Sequence, residues 1–246
     1  MTDGLRIFEV AELDFWLEPR PWSFAQSHAA EIAAHWAAAV RDKPALYNGR
    51  VLMLARRAFE TRPDGALRIA GAFFETDYAA FVAWKALRFP GEAVENAFSM
   101  AALRSADGAF LLGEMAPHTY NAGQIYFPAG TPDREDVFGT RVDLDASARR
   151  ELKEETGLDS SETRVAPGWT LILAPGRIAA MKQMILPMSA EKAKARLEAL
   201  LPRDQHAEFS RIHIVRKPTD IDEDRMPSFV AAYITAEFEK AYSDAG

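Results

Sequence analysis

Three carboxylates recur at helical spacing in the second half of the chain. Glu151, Glu154 and Glu155 stand at positions i, i+3 and i+4, so one turn of a helix would bring them close together. On a bare helix, like charges at this spacing repel one another by roughly 0.2–0.5 kcal/mol per pair. Mg²⁺ prefers carboxylate oxygens and usually also binds substrate phosphate. The pattern therefore favours a divalent-metal site that acts on a phosphate compound.

A solvated helical surface is the alternative interpretation of the same residues. Glu-rich helices are common, and an exposed helix with a glycine at its end would show a similar pattern. We expect Asp145 to cap the start of this helix and Gly157 to end it. Ala148 and Leu152 fall on a side that can pack, which would leave the carboxylates facing a cleft.

The segment Arg150–Leu158 reads R-E-L-x-E-E-x-G-L. It resembles the second half of the Nudix box, G-x5-E-x7-R-E-U-x-E-E-x-G-U, where U is aliphatic. Upstream, Tyr126–Gly130 resembles the strand and loop with which that box begins. The resemblance implies an enzyme that hydrolyses a diphosphate linked to another group. It also implies an α/β fold, the Nudix α/β/α sandwich with a mixed sheet.

The chain departs from the box in one place. The gap between Gly130 and Arg150 is six residues longer than the family pattern allows. Counted forward from the glycine, the position of the upstream glutamate falls on Asp136. Counted back from the arginine, it falls on Val142, beside Asp143. The loop between the two halves is therefore expected to be enlarged.

The resemblance assigns a role to each residue of the box. Glu154 and Glu155 are expected to bind Mg²⁺ or Mn²⁺, and Glu151 to bind metal or to accept a proton from the attacking water. Arg150 is expected to hold Glu154 or a neighbour in position. The backbone carbonyl of Ala129 is the expected backbone ligand of the metal.

Two residues outside the box are weaker candidates. Glu208 could supply a further catalytic carboxylate, although a surface residue is the preferred interpretation. Arg177 follows Pro175-Gly176 in a loop and could contact a phosphate, although a solvated arginine is preferred there.

Composition narrows the class of protein. The 246 residues include no cysteine and carry a net charge of −7, which excludes disulfides and thiolate sites and disfavours binding to a nucleic acid polymer. No apolar run reaches the length of a membrane span. The first twenty residues carry five acidic side chains, which disfavours a signal peptide. We expect a cytoplasmic enzyme with no membrane partner.

The chain is expected to divide near Pro90-Gly91. Residues 1–95 would form an amino-terminal α+β extension, and residues 96–246 the Nudix hydrolase domain. The extension is expected to hold a helix with a Ser23-x-x-Gln26 capping box, a hairpin of 51–57 with 66–74, and a helix from Asp77. The domain is expected to hold strands at 98–104, 109–115, 125–127, 169–173, 178–187 and 212–215, with helices from Ser189 and Ser228.

The substrate class rests on a shorter resemblance. Lys43–Gly49 and Thr76–Tyr78 resemble the amino-terminal part of a Nudix branch that includes a UDP-glucose hydrolase. A nucleoside-diphosphate sugar is therefore the leading small-molecule substrate. Coenzyme A esters, ADP-ribose, dinucleoside polyphosphates and a non-catalytic nucleotide-sensing module stay open. The loop at 131–145 and the extension are expected to shape the pocket or a homodimer contact.

Overall fold

A computed structural model describes residues 4–44, 46–202 and 207–243 of the chain. Its strands, in chain order, are β1 (Arg6–Val10), β2 (Glu12–Leu17), β3 (Arg50–Thr61), β4 (Leu67–Asp77), β5 (Asn96–Ser105), β6 (Phe110–Met115), β7 (Ile125–Tyr126), β8 (Ala129–Gly130), β9 (Val137–Phe138), β10 (Arg141–Val142), β11 (Arg164–Val165), β12 (Trp169–Ala174), β13 (Arg177–Leu186) and β14 (Phe209–Val215). Its helices are α1 (Ser23–Ser27), α2 (Ala29–Asp42), α3 (Tyr78–Ala86), α4 (Leu144–Thr156), α5 (Ala190–Leu200) and α6 (Ser228–Ser243). None of the described helices is both long and apolar enough to cross a bilayer.

The larger sheet has the order β1-β12-β13-β5-β6-β14 and is mixed, because β13 runs parallel to β5 while the other neighbours are antiparallel. Side chains alternate along β5. Met100 and Ala102 pack in the cluster that contains the apolar side chains of α6, whereas Ala101 and Leu103 pack in the cluster of α4 and α5. Helices therefore cover both faces of this sheet. The predicted α/β class and the α/β/α sandwich are confirmed.

The smaller sheet has the order β3-β4-β2-β10-β9. One of its faces packs on the larger sheet, where Phe15, Leu54 and Phe73 share a core with Leu171 and Ala180. The other face is covered by helices, through a second core whose largest members are Trp22, Phe24, Met53, Phe74, Phe81 and Trp84. The two sheets are thus stacked, with helices outside each.

The two parts of the chain exchange strands. β1 lies at the edge of the larger sheet, where Arg6 stands opposite Leu173. β10, from the loop that was expected to be enlarged, pairs with β2 of the smaller sheet, and Val142 stands opposite Phe15. That loop therefore carries a short antiparallel hairpin of β9 and β10. The division at residue 95 stays a prediction.

The predicted amino-terminal capping box is not formed. Ser23 is the first residue of α1, its preceding residue Trp22 makes no side-chain cap, and the Ser23 hydroxyl donates a hydrogen bond to the Glu92 carboxylate instead. A charged acceptor binds a hydroxyl more strongly than a neutral one does. The helix also breaks at His28, so that α1 and α2 are separate.

The helix α4 has two well-defined ends. Asp143 is its N-cap, and Oδ1 accepts hydrogen bonds from the backbone N–H groups of Asp145 and Ala146 at 3.0 and 3.1 Å. The prediction that Asp145 is the cap is wrong, because Asp145 lies within the first turn of the helix and its carboxylate accepts a hydrogen bond from Arg149. Gly157 ends the helix with φ of 72°, as predicted, because glycine adopts this left-handed conformation without a steric penalty.

Replacing Asp143 tests this cap. Asp143→Ala should lower the free energy of unfolding by about 1 kcal/mol, because two backbone N–H groups lose their acceptor. Asp143→Asn keeps an oxygen in the same place and should stay within about 0.3 kcal/mol of the unsubstituted protein. Urea unfolding in a chelating buffer would measure both. An equal loss in the two variants would contradict the assignment.

Candidate active site

The rotation of α4 decides which carboxylates face the interior. Ala148 and Leu152 are fully buried between the helix and the larger sheet. With that side fixed, Glu151 and Glu155 point toward β8. Glu154 lies outside this group, with 55% of its side chain exposed. The predicted triad is therefore split into an inner pair and an outer residue.

Glu155 is the most buried of these carboxylates, with 3% of the residue exposed. Its Oε2 accepts a hydrogen bond from the backbone N–H of Ala129 at 3.0 Å. Burial, followed by the nearby charges of Glu208 and Glu151, raises its pKa well above the ordinary value for a glutamate. A divalent cation placed there would stabilise the ionised form.

Glu151 lies directly against the turn that follows β7. A Cβ atom added to Gly130 would overlap with the Glu151 carboxylate, so only glycine leaves room for it at this position. Burial raises the pKa of Glu151 to about 7, Arg150 opposes the shift, and Glu154 adds to it. A carboxyl group with such a pKa can hold or release a proton near neutral pH.

Arg150 connects the inner pair to the enlarged loop. Its Nη1 forms an ion pair with Glu151 Oε1 at 3.0 Å and donates to Glu154 Oε2 at 3.0 Å, and its Nη2 donates to Asp136 Oδ2 at 3.0 Å. Burial by itself would lower the pKa of Arg150. The hydrogen bond to Asp136 and then the charge of Glu151 outweigh this effect and raise the pKa above its ordinary value. The structure thus places Arg150 against Glu154, where the resemblance implied it would be.

Asp136 occupies the position that forward counting gave to the upstream glutamate. It is 1% exposed, and its Oδ2 also accepts from the backbone N–H of Asp133 at 3.1 Å. Asp143, the other candidate, caps α4 instead. The six additional residues therefore lie between Asp136 and the helix, in the hairpin of β9 and β10.

Glu208 lies beside the inner pair although the residue as a whole is exposed. Its carboxyl group contacts that of Glu155. The surrounding protein atoms raise the pKa of Glu208, and the contact with Glu155 opposes the shift. The residue is thus at the surface, as preferred from sequence, and at the candidate site as well.

The chemistry of the carboxylates at this site suits a hard divalent cation. Glu151, Glu155 and Glu208 offer only oxygen ligands, and the pKa of each is raised in part by the charge of a neighbouring glutamate, which is the repulsion that Mg²⁺ or Mn²⁺ relieves. Within 4–44, 46–202 and 207–243, no three His, Asp or Glu side chains are arranged as a formed metal cluster. The carboxylates would therefore have to turn toward an ion to bind it.

A cavity of about 750 Å³ is lined by Glu208 and by Ala129 and Gly130, against which Glu155 and Glu151 lie. Its walls come from both parts of the chain. Residues 126–130, here called the box turn, contribute to it together with Glu208. Tyr78 and Phe81 of α3 and the aromatic rings of Phe98 and Phe229 also line it. A cavity of this size with aromatic walls and a few polar groups is typical of a small-molecule site.

Several lining residues were not found from the sequence. Lys85 and Tyr120 face this cavity, but neither belongs to a motif, and Lys85 is brought there by the packing of α3 on the smaller sheet. Arg177 also lines the cavity and is partly buried. The side chain of Arg177 is therefore only partly solvated, because it lies in the wall of this cavity.

The comparisons with known proteins give the following. No protein-family model and no curated protein matches the chain. Among solved structures, the MutT protein of Methanosarcina mazei Go1 is 16% identical with a TM-score of 0.41, over 60% of this chain and 95% of that one. The Nudix hydrolase RenU of M. Smegmatis is 15% identical with a TM-score of 0.37, over 61% and 86%. The Bacillus subtilis pyrophosphohydrolase BsRppH is 15% identical with a TM-score of 0.35, over 58% and 81%. At TM-scores below 0.5, these likenesses carry no argument about the chemistry of this site.

The raised pKa of Glu151 should make the metal-free protein less stable as the pH rises. The ordinary pKa is 4.5 and the folded value is about 7, so between these values the unfolded chain releases a proton that the folded protein keeps. Unfolding is therefore increasingly favoured across this window, and the effect is complete above it. A shift of this size corresponds to roughly 3 kcal/mol at most.

Glu151→Gln should flatten this loss of stability. The measurement is urea unfolding in excess chelator at several values from about pH 5 to about pH 8. Glu198→Gln is the matched control, because Glu198 is an exposed carboxylate on α5. Identical pH profiles for the unsubstituted protein and Glu151→Gln would contradict the raised pKa.

Proposed function

We propose that this chain is a Nudix-type diphosphatase that uses Mg²⁺ or Mn²⁺ to hydrolyse the diphosphate linkage between a nucleoside and another group. The observation that carries the proposal is the inner pair, Glu151 and Glu155, buried against the box turn beside a ligand-sized cavity. Buried carboxylates with raised pKa values, set in a cavity, are typical of functional sites.

The box residues would divide the work as follows. Glu151, Glu154 and Glu155, with the backbone carbonyl of Ala129, would hold the metal. A bound divalent ion would neutralise the diphosphate and make the attacking water more acidic. Arg150 would keep Glu151 and Glu154 in place, because its guanidinium forms ion pairs with both at 3.0 Å.

Glu151 is the candidate general base. With a pKa of about 7, its carboxylate can accept the proton that the water loses as it attacks phosphorus. Arg150, at 3.0 Å from Oε1, would hold the carboxylate in the orientation that receives this proton. The buried Asp136 supports the arginine from the other side, at 3.0 Å. The proton would then leave through the open side of the cavity.

A nucleoside-diphosphate sugar is the leading substrate class. A cavity of about 750 Å³ lined by aromatic rings has room for a base and a sugar. Coenzyme A and ADP-ribose share the diphosphate and the nucleoside, so they are the alternatives to be tested beside it. Cytoplasmic location and a homodimer stay predictions.

A non-catalytic nucleotide-sensing module is the second candidate. One observation favours it, since Glu154 turns to Arg150 at 3.0 Å rather than toward the inner pair. In such a module the cavity would bind a nucleotide that is not turned over. Incubation with a panel of diphosphate compounds and Mg²⁺, with products identified by mass, separates the two candidates.

Replacing Glu155 tests the catalytic assignment. Glu155→Gln keeps the shape of the side chain but removes a charged ligand, and it should lower kcat/KM by at least about 100-fold. Glu198→Gln, on the exposed face of α5, should leave the rate within about twofold. Thermal unfolding of both variants would show whether the fold is kept. Near-normal turnover by folded Glu155→Gln would overturn the assignment.

Metal binding should also be visible without turnover. Mg²⁺ or Mn²⁺ should raise the melting temperature of the unsubstituted protein, because binding to the folded state alone stabilises it. The rise should be much smaller in Glu155→Gln. A chelator should abolish hydrolysis reversibly, and activity that persists in excess chelator would contradict the metal chemistry.

A further inference from the structure

Among the residues that the structure describes, two cations line the cavity without an acidic partner. Lys85 lies in the last turn of α3 and Arg177 is the first residue of β13, so one comes from each part of the chain. Both are partly buried. Within the described ranges, the charge interactions that act on them include no Asp or Glu side chain.

This lack of a partner is unusual at such depth. Arg57 is also partly buried, and it donates to Glu95 at 2.6 Å. Burial lowers the pKa of Lys85 and of Arg177, and the charge of Arg177 lowers that of Lys85 further. Two desolvated cations that repel each other are unfavourable unless an anion accompanies them.

Aromatic rings near Lys85 and Arg177 stabilise the two positive charges only in part. Lys85 Nζ lies 5.0 Å from the centre of the Tyr120 ring, and Arg177 Cζ lies 5.4 Å from that of Phe229. Such contacts stabilise the charge but accept no N–H···O hydrogen bond. A lysine carries three N–H donors and an arginine five, so donors stay available for an anion in the cavity.

The sheet register separates the backbone of Arg177 from that of Gly130, against which the Glu151 carboxylate lies. Arg177 stands beside Asn96 on β5, whereas Gly130 of the box turn stands beside Ser99. Three residues of strand span about 10 Å. The two phosphate groups of a diphosphate share a bridging oxygen and are too close together to occupy both places. An anion at Lys85 and Arg177 is therefore a different group of the same molecule.

We propose that Lys85 and Arg177 form a subsite for a second anionic group, a carboxylate or a phosphate, carried by the substrate away from the hydrolysed diphosphate. The position of the diphosphate in this inference rests on the proposed function. The substrate class is thereby narrowed to nucleoside-diphosphate conjugates that bear a further acidic group, such as a sugar acid or a phosphorylated nucleoside.

Two matched pairs of compounds test the subsite. UDP-glucuronate differs from UDP-glucose by a carboxylate, and coenzyme A differs from dephospho-coenzyme A by one phosphate. The protein should prefer the acidic member of at least one pair by about tenfold or more in kcat/KM. A preference in the first pair identifies a carboxylate ligand, and one in the second pair identifies a phosphate.

The double variant Lys85→Met, Arg177→Met should lose this preference, so that the acidic and neutral members of the pair give kcat/KM values within about threefold of each other. The matched control is Lys192→Met, Arg164→Met, which removes the same two charges from exposed positions and should keep the preference. Thermal unfolding reports on the fold. If the double variant does not fold, Arg177→Gln alone is compared with Arg164→Gln in the same way.

Binding measured by calorimetry in excess chelator separates this inference from the proposed function. If no compound is hydrolysed but the acidic member binds more tightly and the double variant loses that difference, the proposed function fails and the subsite stands. If compounds are hydrolysed and neither pair shows a preference that the double variant removes, the proposed function stands and the subsite is overturned. Equal or undetectable binding of both members in both pairs also overturns it.

Discussion

The site depends on keeping the carboxylates of Glu151 and Glu155 next to each other and out of water. Neither position is favourable for a charged group on its own. The protein compensates with the Arg150 guanidinium at 3.0 Å from Glu151 and the Ala129 N–H at 3.0 Å from Glu155. Asp136, which is itself buried, holds the arginine. The loop inserted before α4 thus belongs to the same electrostatic network as the helix.

The cavity is a product of the stacked sheets rather than of the box alone. The box contributes the backbone of Ala129 and Gly130 and the later strand region contributes Glu208, whereas the amino-terminal part supplies α3, with Tyr78 and Lys85. Acidic and basic groups consequently face one space from different parts of the chain. Changes in α3 can alter what binds while the inner pair of carboxylates is left unchanged, which is how function is commonly varied on a shared fold.

Local patterns were enough to predict much of the fold. The hairpin of β3 and β4, the helix α3 after Asp77, the glycine end of α4 and the start of α6 at Ser228 all follow from turn residues and periodicity within short windows. The cap at Asp143 was missed because two nearby aspartates offer the same chemistry and only the register of the first turn distinguishes them. The sequence could not predict that Arg177 and Lys85 line the cavity. Their positions depend on the parallel pairing of β13 with β5 and on the packing of α3 on the smaller sheet. These contacts join residues that are remote in sequence, and no local pattern encodes them.

The pairing of β1 with β12 has a consequence for how the chain reaches this structure. Residues 6–10 find their partner only at residues 169–173, so most of the polypeptide must be synthesised before that edge of the larger sheet can close. Contacts so remote in sequence give a high contact order. This slows folding, because the entropic cost of closing a long loop precedes the formation of the stabilising contacts. Until then β1 presents unpaired backbone groups that can pair with another chain.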